Sequence, residues 1–212
     1  MSKSKQQQTQ KIINELLKLY PEPECALNHS TPWELLVATI LSAQCTDVRV
    51  NLVTPALFKK FPDVKAFAEA SITSMEKAVK STGFYRNKAK NIIACAQTLI
   101  AEHSAQVPDS IDKLIKLPGV GRKTASVILG TSFNKAEGIV VDTHVGRLSR
   151  RFGLTANTDA VKVEKDLMKL VAKKHWIEFS HLLILHGRNR CKARKPDCKN
   201  CEIQTICPQI IS

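Results

Sequence analysis

The chain has 212 residues, of which 43% are hydrophobic and 5% aromatic, and it carries a formal net charge of +13. That length and apolar content exclude a disordered chain and allow a core without covalent staples. So basic a surface calls for a polyanionic partner. Nucleic acid comes before an anionic membrane here, because neither a basic amphipathic helix nor a lipidation signal is evident. The polar stretch Met1 to Lys11 offers no signal-peptide core and no arginine for a transit peptide, and no apolar run approaches the ~18 residues of a membrane span. The chain therefore reads as cytoplasmic, or nucleoid-associated if bacterial, and as a monomer by default with no obligate protein partner.

In chain order, nearly every segment predicts helix. Gln10 to Tyr20 places Ile12, Ile13, Leu16, Leu17 and Leu19 at helical spacing and stops before Pro21 and Pro23. Thr31-Pro32-Trp33-Glu34 is a capping box with proline at the first helical position, opening a helix through Leu41. Asp47 is placed to cap the next. Further helices fit Ser71 to Lys80, Asn87 to His103, Ser110 to Leu117, Arg122 to Phe133, Asp142 to Phe152, Asp159 to Lys173 and Trp176 to His186. Gly138 to Val141 is the one stretch that could be a strand, and it is too short for its pattern to decide. No Gly-, Pro- or Ser-rich linker cuts the chain, so any domain division is one of packing between helices.

Leu117-Pro118-Gly119-Val120-Gly121-Arg122-Lys123 lies between two of these helices. Proline ends the first, and the glycines leave backbone amides uncovered where the second begins. A glycine turn feeding a helix N-terminus is an anion site that grips phosphate without reading sequence. An ordinary tight turn is the competing reading. Against it, Arg122 and Lys123 place two cations where the helix dipole disfavours them, a local conflict tolerated mostly at functional sites.

Schiff-base chemistry needs a neutral amine. The helix N-terminus and Arg122 both disfavour an ammonium at Lys123, whereas DNA phosphates would favour one. Asp142, in Val140-Val141-Asp142-Thr143-His144, is the candidate partner; on local sequence it is first of all an N-cap. Its chemical role would be proton acceptor or electrostatic support for a cationic sugar, since a carboxylate raises a neighbouring lysine pKa.

Seven cysteines, an odd number in a chain with no export signal, argue against a disulfide framework. Four of them form Cys191-x6-Cys198-x2-Cys201-x5-Cys207, enough thiolates for one metal centre. Structural zinc and a cubane iron–sulfur cluster both accept four cysteines, and spacing alone leaves both open. Lys192, Arg194, Lys195 and Lys199 interleave the ligands, so a metal-bound loop would present cations to phosphates.

Together these residues resemble the endonuclease III family of DNA glycosylases, from about Thr31 to Cys207. Leu117 to Ala125 (LPGVGRKTA) looks like that family's helix-hairpin-helix, Val141 to His144 like its catalytic-aspartate segment, and Leu183 to Arg188 (LILHGR) precedes the cysteines as in the family. The cysteine spacing is the family's iron–sulfur pattern.

The resemblance implies an all-α fold of two helical domains with a DNA cleft between them. A six-helix barrel at 23–135 would contain the hairpin at about 110–133. A second domain, 1–22 plus 136–212, would carry a [4Fe–4S] cluster on Cys191, Cys198, Cys201 and Cys207. Lys123 and Asp142 would face each other across the cleft. The implied activity is base-excision repair of oxidised pyrimidines in damaged double-stranded DNA. Lys123 would attack C1′ of the flipped nucleotide, and β-elimination would cut the strand on the 3′ side.

Implied DNA contacts are the gap-filling Gln44, the hairpin's Gly119, Val120, Gly121 and Arg122, then His144, Arg194 and Lys195. Phe84 falls where some members insert a leucine, with a core aromatic as its alternative. Cys45 reads as a buried small hydrophobe and His186 as structural. The rival readings are a monofunctional adenine or pyrimidine-dimer glycosylase of the same superfamily, a non-enzymatic DNA-binding module and, last, an iron–sulfur electron carrier. The presence of Lys123 counts against the adenine glycosylase.

Overall fold

The computed structural model describes residues 3–210, and no strand occurs among them. The chain separates into two compact units, Cys25–Lys135 and a second unit made of the segments Met1–Glu24 and Ala136–Ser212. No helix among the described residues is long and apolar enough to cross a membrane.

The unit Cys25–Lys135 contains α2 (Pro32–Ser42), α3 (Asp47–Lys60), α4 (Val64–Ala68), α5 (Ile72–Val79), a 3-10 turn (Lys80–Thr82), α6 (Tyr85–His103), α7 (Ile111–Leu114) and α8 (Arg122–Phe133). Helix α2 is apolar on nearly every side: Trp33, Leu35, Leu36, Val37, Ala38, Ile40 and Leu41 are all buried. A helix of that pattern belongs in the middle of a core. Thr31 caps it by accepting the Glu34 N–H at 3.2 Å, while the Glu34 carboxylate reaches back to the Ser30 N–H at 2.6 Å. Phe67 of α4, fully buried, meets Trp33 edge-on with ring centres 5.2 Å apart and Phe61 at 5.3 Å.

The other unit is built from α1 (Lys3–Leu19), α9 (Thr143–Arg151), α10 (Ala160–Met168), a 3-10 turn (Lys173–His175) and α11 (Trp176–Asn189). Ile12, Ile13 and Leu16 of α1 share its core with Val145 and Leu148 of α9, Val163 and Leu167 of α10, and Phe179, Leu182 and Leu183 of α11. Gly187 lets α11 approach α9 closely, since a Cβ there would lie 2.7 Å from His144 Nδ1.

Several expectations need correction. Helix α1 starts at Lys3, seven residues before the predicted start at Gln10. Thr46, not Asp47, caps α3, its hydroxyl accepting from Arg49 N at 3.3 Å; Asp47 is the first helical residue. Gly138 to Val141 forms no strand: the Val140 carbonyl accepts from the Ser180 hydroxyl at 3.0 Å instead of from a ladder. Helix α10 ends at Met168 and α7 at Leu114, each earlier than the sequence pattern suggests. Helix α4 was not foreseen at all. Its five residues are too few to show a period, and Asp63 starts it by accepting from Ala66 N at 2.8 Å.

Candidate nucleic-acid interface and four-cysteine loop

In the unit Cys25–Lys135, the turn into α8 has the geometry of an anion site. Gly119 has φ +77°, and a Cβ there would sit 2.8 Å from Asn91 Cβ, so both backbone and packing demand glycine. Gly121 differs, because a Cβ at that position would meet nothing within 4 Å and its φ is −87°. Neither the protein's packing nor its own backbone explains that glycine, whereas close approach by a ligand would. Gly121 is the N-cap of α8 with no side-chain cap, so the first helical amides keep their donors for an outside acceptor. Val120 is arranged differently from the open amide expected of it. Its side chain is core, and its N–H donates to the Leu117 carbonyl at 3.1 Å, which closes the turn. Arg122 and Lys123 occupy the first turn of α8 and are both exposed.

Gln44 and Phe84 lie in the same unit, in connections flanking α2 and α6. Both are exposed and both are left-handed, with φ of 53° and 47°. Such conformations are uncommon for residues with a Cβ and persist where the surroundings over-determine them. Phe84 is 64% exposed, which rules out the core-aromatic alternative. Cys45 is half-buried against the core.

In the other unit, Asp142 is the N-cap of α9, its Oδ1 accepting from Val145 N at 2.8 Å. His181 stands near enough to feel that carboxylate; burial depresses its imidazole, and Asp142 pulls it partly back up. His144 Nδ1 lies 3.2 Å from Arg147 Nη2. Lys123 and Asp142 thus belong to different units.

The four cysteines are brought together. Cys191, Cys198, Cys201 and Cys207 all line one recess of about 300 Å3, part of it open to solvent, with Phe152 and His186 at its wall. None is in a disulfide. The recess supplies N–H donors to sulfur: Arg151 Nη1 lies 3.3 Å from Cys191 Sγ, and Gln209 N lies 3.4 Å from Cys207 Sγ. Burial pushes the Cys201 and Cys207 thiols up, and the neighbouring cysteines add to the shift. Four cysteines around one recess, with N–H donors aimed at two of the sulfurs, suit a cationic metal centre. Among the described residues no group of three or more His, Cys, Asp or Glu is arranged to hold a metal ion directly. Structural zinc and a cubane iron–sulfur cluster both accept four thiolates of this kind.

The loop itself is stapled from several sides. Arg151, buried, donates to the carbonyls of Lys192 (2.7 Å) and Ala193 (3.0 Å), and Arg147 to those of Gly187 (3.3 Å) and Cys191 (3.0 Å). Arg190 grips the Glu202 carboxylate from Nε at 3.1 Å and Nη2 at 2.9 Å. Arg194 and Lys195 project from it exposed, Lys195 again left-handed with φ 54°. His186 is fully buried, and burial pushes its imidazole down to about 4. Sequence reasoning missed Arg147, Arg151 and His181. The spacing of the two arginines, one helical turn apart on α9, is the signal the sequence offers for them.

The described residues combine a helical architecture with a glycine turn that opens a helix N-terminus and a recess lined by four cysteines. The model for the HhH-GPD superfamily of base excision DNA repair proteins matches residues 37–173. Endonuclease III of Synechocystis sp. is 50% identical over 97% of this chain and 94% of its own length, and that of Bacillus subtilis 43% identical over 92% and 89%. Among solved structures, an endonuclease III–DNA trapped covalent intermediate superimposes with TM-score 0.90 at 41% identity, covering 96% of each chain. A non-covalent endonuclease III–DNA complex gives the same score. The chain belongs to the endonuclease III family, and it is a DNA glycosylase of base-excision repair.

Proposed function

We propose that this chain is a bifunctional glycosylase and abasic-site β-lyase acting on oxidised pyrimidines in duplex DNA. The observation that carries the reading is the position of Lys123, an exposed amine in the first turn of α8, directly behind a turn whose Gly121 the protein's own packing does not require. Backbone amides there hold a phosphate, and the amine reaches the adjoining sugar. A relative of 41% identity is known as a trapped covalent intermediate with DNA, which supports covalent chemistry in this chain too.

In the proposed sequence, the neutral Lys123 amine forms a bond to C1′ as the C1′–base bond breaks. Opening of the C1′–O4′ bond leaves an iminium. Loss of a C2′ proton then expels the 3′ phosphate, cutting the strand. Asp142 is assigned the role of proton acceptor and electrostatic support for the cationic sugar. Gln44 and Phe84 fill the space left by the extruded nucleotide. Gly119, Gly121, Arg122, His144, Arg194 and Lys195 hold the backbone of damaged double-stranded DNA, and Val120 shapes the turn.

Cys191, Cys198, Cys201 and Cys207 would hold a [4Fe–4S] cluster, with hydrogen bonds to sulfur from Arg151 and the Gln209 amide. When bound, the cluster supplies rigidity to the basic loop and takes no part in base removal.

Borohydride tests the lyase directly. Mixed with duplex DNA bearing one abasic site or thymine glycol, the protein should be frozen into a covalent complex. Lys123→Gln should lose that complex, and Lys162→Gln, at an exposed position of α10, should keep it. A full-strength complex from Lys123→Gln, or none from the unmodified chain despite tight binding, would overturn the proposal in favour of a monofunctional glycosylase.

A further inference from the structure

Lys88 lies in the first turn of α6, yet its side chain is buried, with 5% of its surface exposed. Its ammonium donates to two backbone carbonyls, Leu41 and Thr82, each at 2.8 Å. Its own N–H donates to the carbonyl of Phe84 at 3.2 Å. Burial and the positive end of the α6 dipole both work against a cation here, and burial holds its pKa below the usual lysine range. Local conflicts of this kind persist where they secure something else.

What Lys88 secures is defined by its acceptors. Leu41 is in the last turn of α2, three residues before Gln44, and Thr82 ends the 3-10 turn, two residues before Phe84. The last carbonyls of a helix lack intrahelical donors and favour a cation, so the Leu41 carbonyl is a natural acceptor. One ammonium therefore ties the connection presenting Gln44 to the connection presenting Phe84. Both of those side chains are exposed and left-handed.

We propose that Lys88 is a positioning residue that locks the Gln44 and Phe84 loops into one rigid wedge, so that both side chains enter the DNA stack together. This rests on the nucleotide extrusion proposed above. Unstacking a nucleotide is unfavourable, and an inserted side chain offsets it best when no ordering is left to do. A charged donor shared by the two loops supplies that order in advance.

The test uses the full chain and a duplex carrying a stable abasic analogue beside 2-aminopurine, whose fluorescence rises on unstacking. Lys88→Met keeps the apolar stem and removes the donor. It should bind the duplex nearly as the unmodified chain does, but unstack it about tenfold more slowly or worse. Lys88→Arg, which keeps a cation, should stay within about threefold. The double variant Gln44→Ala/Phe84→Ala should be slow by itself, and adding Lys88→Met to it should slow it little further, because the lysine acts through those two side chains. Ile92→Val, a fully buried change in the same helix, controls for plain destabilisation and should leave unstacking unchanged. If Lys88→Met fails to fold, Lys88→Gln replaces it and must also be slow. Unstacking at the unmodified rate in the folded Lys88 variant, or equal slowing by Ile92→Val, overturns the role of Lys88 alone. No unstacking by the unmodified chain overturns nucleotide extrusion, and this role with it.

Discussion

Asp166 illustrates how much a single side chain here depends on partners distant in sequence. Its carboxylate accepts from the Thr155 hydroxyl at 2.5 Å and the Asn157 amide at 2.7 Å, and these bonds hold its pKa below the usual value. A depressed carboxylate stabilises the fold above its unfolded pKa of ~3.9, and that contribution is lost as pH falls through the lower folded value. Asp166→Asn should therefore lower stability by about 1 kcal/mol at neutral pH, with the difference from the unmodified chain closing below about pH 4. Thermal unfolding of both chains across that range checks it; a gap that widens in acid would contradict the assignment. Lys123, Asp142 and the four cysteines stand out in the sequence as candidates because motif and spacing mark them. Lys88 was not, since nothing local distinguishes a lysine that donates to Leu41 and Thr82 from one in water.

Among elements, the turn between α7 and α8 separates two uses of glycine. Gly119 has positive φ and Asn91 against it, while Gly121 has neither restraint. Gly119→Ala should cost on the order of 1–3 kcal/mol of stability. Gly121→Ala should leave stability within about 0.5 kcal/mol yet weaken DNA binding, because its methyl group occupies the space proposed for a phosphate. Denaturant unfolding and a binding titration on the same two variants distinguish them; equal affinities for Gly121→Ala and the unmodified chain would remove the phosphate from this turn. The helices legible in advance were those with a cap or a proline at the start, such as α2, and a long apolar stripe, such as α1. Helix α4 escaped because its one decisive residue, Phe67, is held by Trp33 and Phe61 and not by a repeating pattern.

For the whole molecule, the net charge of +13 predicts binding to DNA that is steeply salt-dependent. Arg194 and Lys195 project from a loop that Arg147, Arg151 and Arg190 fasten in place. Replacing both with Gln should reduce the slope of log affinity against log salt by about two, one per lost phosphate contact, and equally for any DNA sequence. An unchanged slope would show that the loop does not meet the backbone.

The sequence by itself determined helical class, basic character, the glycine turn, the lysine behind it and the set of four cysteines. Each of these is written in neighbouring residues, through period, capping chemistry or ligand spacing. Only the tertiary structure decided that Phe84 points outward, that Val120 spends its amide inside the turn, that two arginines of α9 pin the cysteine loop, and that Lys88 joins two loops. Those facts depend on which carbonyls and side chains lie nearby after folding, and residues far apart in the chain leave no local trace of such contacts.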